Sequence, residues 1–142
     1  MTGRWFPDDM PRPAINADTQ PFFEAAREHR LVIQRCSLCQ TYRHPPRPIC
    51  PRCQSFDVCW TEVAGRGRLF TWSIVHQPLH PATAAILPYV VAVVELEGTG
   101  GTRITSNLVE AMPGDFRLGR PVEVVWEDID ANLTLPRFRP CL

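Results

Sequence analysis

The spacing of apolar residues is helical only once in this chain. Phe22, Ala26 and His29 fall at i, i+4 and i+7, with Phe23 and Ala25 widening the stripe, which predicts a helix from about residue 19 to Arg30. Asp18-Thr19-Gln20-Pro21 supplies capping side chains and a proline for its first turn. A helix this short is marginal alone, so its apolar face must be docked. Ahead of it, Pro7, Pro11 and Pro13 deny helix to residues 1–18. Trp5, Phe6 and Ile15 in the same stretch predict an extended arm lying against its own domain or a partner.

Beyond the helix the period becomes two. Leu31 to Arg35 and Phe56 to Trp60 read as short strands. Arg68 to Val75 alternates, with Phe70, Trp72 and Ile74 on one face. In Tyr89 to Glu97 the residues Val90, Ala92, Val94 and Leu96 share a face. Gly98-Thr99-Gly100-Gly101 is a hairpin turn into Thr102 to Val109, where Ile104 and Leu108 can face inward. Val122 to Trp126 is the last clear strand, and Leu133 to Phe138 adds an edge. Gly65 and Gly67 mark a bulge or bend. Four or five short strands joined by Gly- and Pro-containing turns suit a small closed barrel, which removes the exposed edges of an open sheet.

Between the first two short strands stand Cys36-Ser37-Leu38-Cys39 and Cys50-Pro51-Arg52-Cys53. Two residues between paired cysteines turn both sulfurs onto one side of a tight knuckle. Two knuckles supply Cys36, Cys39, Cys50 and Cys53 as four tetrahedral ligands for a zinc ion at the ~2.3 Å sulfur–metal distance zinc prefers. The shell is then full, so the metal is structural and has no place for an activated water. Two disulfides are the competing reading, disfavoured in a chain without a secretory signal. Iron is the competing metal, since four thiolates accept either. Cys50-Pro51-Arg52-Cys53 has a rubredoxin-like proline, but Gln54 follows where a glycine is usual.

Composition narrows the picture. The 142 residues suit one ordinary domain or a small metal module on one modest core, and 15 prolines argue against an all-helical chain. The net charge is zero, but residues 27–53 carry six arginines against one glutamate, while residues 89–130 carry eight acids against three arginines. All 15 cationic residues are arginine, which excludes lysine Schiff-base chemistry. Met1 to Pro13 has no apolar leader, and the longest apolar run, Ala84 to Val94, is broken by Pro88. A soluble cytoplasmic protein with no membrane partner is expected.

Helix, four-cysteine ribbon and C-terminal barrel together resemble the zinc-ribbon/OB-fold proteins associated with acyl-CoA enzymes, long labelled a domain of unknown function. The carriers are Pro21-Phe22-Phe23-Glu24, the four ribbon cysteines and Arg43-His44-Pro45-Pro46-Arg47-Pro48. Further carriers are Gly65-Arg66-Gly67, Pro88 to Ala92 and Leu118 to Val124. The resemblance implies a mainly β fold: an extended arm over 1–18, a helix plus rubredoxin-like zinc ribbon over 19–61 and an OB-fold over 62–142. It also implies a non-catalytic partner of a thiolase-superfamily enzyme acting on acyl-CoA: a thiolase, an acyltransferase or a lipid-transfer-protein-like aldolase. The chain looks similar to partners of the aldolases that shorten steroid side chains. Some of those are fused to a hydratase domain, and a free-standing subunit is expected here.

Candidate chemistry fits that role. Arg43, Arg47 and Arg52 sit in proline-stiffened ribbon loops, where guanidinium groups can grip the phosphates of coenzyme A or an acidic partner. Arg66 and Arg68 are secondary candidates that read equally as barrel-surface charges. His76 and His80 lack a third ligand and read as loop histidines, and His29 and His44 as structural or surface residues. Cys59 reads as an inert buried thiol and Cys141 as incidental. There is no Gly-x-Ser-x-Gly elbow, P-loop or dinucleotide fingerprint. The arm, the helix face and the apolar 81–88 loop are expected to meet the partner. The alternative function is single-stranded nucleic-acid binding, which ribbons and OB barrels also serve. It needs a basic groove, and the barrel region here is acidic. The ribbon is expected to depend on its metal while the barrel stays folded without it.

Overall fold

A computed structural model describes residues 1–142. The chain forms nine strands and one α-helix: β1 (Thr2–Gly3), α1 (Gln20–Arg27), β2 (Leu31–Cys36), β3 (Tyr42–Arg43), β4 (Val58–Val63), β5 (Arg66–Val75), β6 (Tyr89–Leu96), β7 (Arg103–Leu108), β8 (Pro121–Asp130) and β9 (Leu133–Pro140). β2 pairs antiparallel with β3 and β4 in a three-stranded ribbon sheet. The larger sheet runs β1-β8-β5-β6-β7-β9, and β8 also pairs with β9. That second pairing closes β5, β6, β7, β9 and β8 into a five-stranded barrel. The closing contact between β7 and β9 is short and parallel, with Leu108 opposite Phe138.

The alternation seen in sequence fills the barrel. Ala92, Val94 and Leu96 from β6, Ile104 and Leu108 from β7, and Val122 and Trp126 from β8 are all buried. The Gly98–Gly101 turn is pinned by Thr99, whose buried hydroxyl donates to Leu96 O at 2.8 Å. Gly67 is required because a Cβ there would lie 2.4 Å from Glu95 O of the neighbouring strand.

Four expectations change. The helix ends at Arg27, three residues early, because His29 adopts a left-handed φ of 57°. The Thr19 side chain makes no cap; Asn16 Oδ1 instead accepts from the backbone N–H of Asp18 and Thr19. A bulge between Leu69 and Thr71 interrupts the alternation of β5. Leu69 therefore enters the core, while Phe70 and Ile74 stay exposed. β9 is no edge: it pairs with β8 from Leu133 to Pro140, and its Phe138 is fully buried. Residues 81–86 form a 3₁₀ turn that Pro81 starts, and His80 Nδ1 caps it by accepting from Ala82 N at 3.1 Å.

The two sheets share one core. Thirteen buried residues form a single cluster that joins Phe22 and Ala26 of α1 and Leu31 and Ile33 of β2 to Leu69, Val94 and Phe138 of the barrel. The expectation that the barrel is independent of the ribbon is revised by this packing, because α1 and β2 supply part of the barrel's own core. The arm also packs inward. β1 lies parallel to β8, and Phe6 is buried edge-on against Tyr89. Phe6 of the arm and Phe22, Ala25 and Ala26 of α1 are thus used within the chain, while Trp5 and Phe23 stay half-buried. No helix is long and apolar enough to cross a membrane.

Candidate functional site

The two knuckles have the same construction. Cys36 N donates to Thr41 O and Gln40 N to Cys36 O, both at 2.9 Å; Cys50 N donates to Ser55 O and Gln54 N to Cys50 O, also at 2.9 Å. Gln40 (φ 66°) and Gln54 (φ 64°) stand in the left-handed conformation that closes each turn, so glutamine occupies the position where glycine is usual. The folded knuckles bring the four sulfurs within 4.8 Å of one another, with Cys36–Cys53 at 3.5 Å and Cys39–Cys50 at 3.6 Å. A tetrahedral shell with ~2.3 Å zinc–sulfur bonds requires sulfurs ~3.8 Å apart, so the set fits a zinc ion.

The protonation chemistry agrees. The Thr41 hydroxyl and backbone N–H lower the Cys39 thiol to about 6. The N–H of Cys39 lowers Cys36. At Cys53 the Ser55 N–H lowers the pKa, but burial and the three neighbouring sulfurs outweigh it and push the thiol up to about 12. Four thiolates cannot stand this close without a cation among them, and a dication is what such a donor set accommodates. Both Cys36 and Cys50 are fully buried.

The loop between the knuckles is held by two buried polar side chains. Arg43, 5% exposed, donates from Nε and Nη2 to Arg47 O at 3.2 and 2.9 Å. Gln34 Oε1 accepts from Arg47 N at 2.7 Å. These bonds hold the loop on β2, beside the β6–β7 hairpin. There Arg43, Arg47 and Arg103, with Gly101 and Thr102, line a cavity of about 330 Å³ that contains no acidic residue. His44 and Pro45 form its wall and are shared with a larger cleft of about 480 Å³ lined by Phe22, Phe23, Ile104, Asn107 and Arg137. Burial lowers His44 to about 4, so its ring is neutral at physiological pH.

Arg43 and Arg47 are therefore brought together, and Arg103 joins them from another sheet. Arg52 is exposed on the second knuckle and lines neither cavity. Arg66 and Arg68 lie on β5, where Arg66 donates to Leu142 O and Arg68 to Gly119 O. Cys59 and Cys141 are half-buried.

One element had no expectation at all. Glu127, fully buried in β8, accepts from Arg137 Nε and Nη2 through one oxygen, at 3.0 and 2.8 Å. Its other oxygen accepts from the backbone N–H of Trp5 and Phe6, at 2.5 and 2.9 Å. Arg137 also lies over the Phe6 ring and donates to Asn107 Oδ1 at 2.8 Å. This network clamps the arm along the cleft. Glu127 stands in an acidic run, Glu127-Asp128-Ile129-Asp130, and nothing in that local pattern marks it as buried.

Fold and site together define a zinc-ribbon/OB-fold protein. Residues 23–58 match the family described as ChsH2, rubredoxin-like zinc ribbon domain, and residues 60–127 match ChsH2, C-terminal OB-fold domain. The chain belongs to this ChsH2, or DUF35, family. It is 52% identical over 132 residues to a probable enoyl-CoA hydratase alpha subunit of Thermomonospora curvata, covering 93% of this chain and 40% of that protein. It is 38% identical over 101 residues to a DUF35 domain-containing scaffold protein of Methanocaldococcus jannaschii, covering 70% and 69%. Among solved structures it is similar to a chain of an Ltp2-ChsH2(DUF35) aldolase, with TM-score 0.81 and 51% identity over 92% of this chain and 100% of that one. The chain spans about 40% of the length of the hydratase alpha subunits it matches.

Proposed function

We propose that the chain is a non-catalytic accessory subunit of a thiolase-superfamily complex acting on acyl-CoA, with a lipid-transfer-protein-like aldolase as its partner. The observation that carries this reading is the likeness to the Ltp2-ChsH2(DUF35) aldolase chain along 92% of the sequence. A second relative, 34% identical over 122 residues, is the 3-oxo-4,17-pregnadiene-20-carboxyl-CoA hydratase alpha subunit of Mycobacterium tuberculosis, named for a steroid acyl-CoA. It supports steroid side-chain degradation as the setting, in the cytoplasm.

In this reading Cys36, Cys39, Cys50 and Cys53 hold one zinc ion, and the sequence divides into an arm over 1–18, a helix and ribbon over 19–61 and the OB-fold over 62–142. The closed thiolate shell does no chemistry; the zinc supplies rigidity to the loop that carries Arg43 and Arg47. The catalytic groups belong to the partner. This chain contributes a surface and part of the acyl-CoA site. The single-stranded nucleic-acid reading gains nothing: at the seam between the sheets the larger cleft is walled by prolines with Phe22 and Phe23 and the smaller by arginines and prolines, and neither carries a row of stacking aromatics. Copurification of tagged chain co-expressed with an Ltp2-type aldolase subunit tests the proposal. A partner recovered in constant ratio through gel filtration is expected, and recovery of the chain alone overturns it.

A further inference from the structure

We propose that the seam between ribbon and barrel is a two-part ligand site, in which Arg43, Arg47 and Arg103 seat the phosphates of coenzyme A and the adjoining cleft takes its long uncharged tail. The inference rests on the acyl-CoA part of the proposed function and gives that part an address. It also differs from the sequence expectation, since Arg52, Arg66 and Arg68 fall outside the site and Arg103 enters it.

Three observations carry it. Three arginines converge on a cavity of about 330 Å³ with no carboxylate in its lining. Like charges repel, and such a cluster is stable where an anion completes it. Arg43 is only 5% exposed, yet its Nη1 makes no hydrogen bond. A buried charged donor without an acceptor is costly, and an anionic oxygen is what would satisfy it. Arg47 is exposed, and only its backbone takes part in the loop's hydrogen bonds, which leaves the guanidinium free.

The second part of the site follows from adjacency. His44 and Pro45 line both cavities, so the cationic pocket adjoins the cleft of about 480 Å³ across a shared wall. Phe22, Phe23 and Pro136 make much of that cleft apolar; Thr105, Ser106 and Asn107 add polar groups to its lining, with Ser106 already donating to Pro136 O and Asn107 to Val90 O. Both volumes lie within the range of small-molecule sites, about 300–1,000 Å³. A phosphate-binding end beside a largely apolar cleft with amide and hydroxyl groups matches a phosphorylated head on a long neutral amide chain. A free anion would need only the first part. Arg103 is partly engaged already, with Nε 3.6 Å from Glu95 and its guanidinium over the Phe70 ring. Glu95 therefore competes with any incoming phosphate.

The test is calorimetric titration of zinc-loaded full chain with coenzyme A, dephospho-coenzyme A, pantetheine and pyrophosphate. Coenzyme A is expected to bind most tightly, and Arg47→Gln and Arg103→Gln each to weaken it by about tenfold. Arg66→Gln is expected to leave it unchanged and Glu95→Gln to tighten it several-fold. Equal binding of coenzyme A by wild type, Arg47→Gln and Arg103→Gln overturns the site, as does its failure to bind at all. Pyrophosphate binding as tightly as coenzyme A overturns the two-part ligand. The same variants still forming a complex with the aldolase subunit leaves the accessory role intact when the site fails. A wild-type chain that binds coenzyme A but no aldolase subunit sinks the accessory role and keeps the site.

Discussion

Replacing Glu127 by alanine should be among the most damaging single changes in the molecule. The carboxylate is fully buried and accepts four hydrogen bonds, two from Arg137 and two from the backbone of Trp5 and Phe6. Removing it strands the Arg137 guanidinium, whose side chain is only 13% exposed, and leaves two arm amides without acceptors. Breaking a buried pair from one side costs ~3–5 kcal/mol. Against a typical domain stability of ~5–15 kcal/mol this is a large fraction. Urea denaturation of the zinc-loaded protein should register the loss as a lower midpoint, and limited proteolysis should cut within residues 1–18 in the variant before wild type. Glu127→Leu combined with Arg137→Met should cost less than the two singles added, because the double change removes both charges. A Glu127→Ala protein within ~1 kcal/mol of wild type, with an equally protected arm, would refute the reasoning.

Three other outcomes follow from the packing. His44 has its pKa lowered from 6.5 to about 4 by burial. The unfolded state thus binds the extra proton first, and stability is lost as pH falls from 6.5 toward 4, by ~3 kcal/mol at most. Urea titrations of wild type and His44→Phe across that window should show the shallower slope in the variant; parallel curves would contradict it. Gly67→Ala should destabilise by ~1–3 kcal/mol, since its Cβ meets the backbone of Glu95 at 2.4 Å and has no flexible neighbour to displace. A thermal melt with an unchanged midpoint would mean the strands part more easily than the structure indicates. Chelation of zinc, or Cys50→Ser, should lower the melting temperature of the whole chain in one transition, because the core of α1 and β2 is continuous with that of the barrel. Two separated transitions by calorimetry would restore the independent barrel that the sequence alone led one to expect.

What was readable in the sequence was whatever depends on local pattern. The knuckles follow from spacing, and the inward faces of β6 and β7 from alternation. The Gly98–Gly101 hairpin follows from its turn residues. Apart from the helix ends, which His29 and Asn16 decide locally, the misses share a cause: each is decided by contacts with residues distant in the chain. The course of β5 turns on a bulge at Phe70 that lets Leu69 fill the barrel. β9 looked like an edge because its pairing with β8 and its contact with β7 are tertiary. Arg103 carries no local signal, and only the ribbon loop folded beside the β6–β7 hairpin brings it to the cavity of Arg43 and Arg47. Glu127 and Arg137 are ten positions apart and meet across a strand pair, with a partner in the arm 121 residues away. Neither periodicity nor composition carries that information.

The accessory role is tested most directly by reconstitution. Separately purified zinc-loaded chain is titrated into a fixed amount of an Ltp2-type aldolase subunit, and retro-aldol cleavage of a steroid side-chain acyl-CoA is followed. The account predicts no cleavage by this chain alone and a rate that rises and saturates at a fixed subunit ratio. Cleavage by this chain alone, or a partner rate indifferent to its addition, would contradict it.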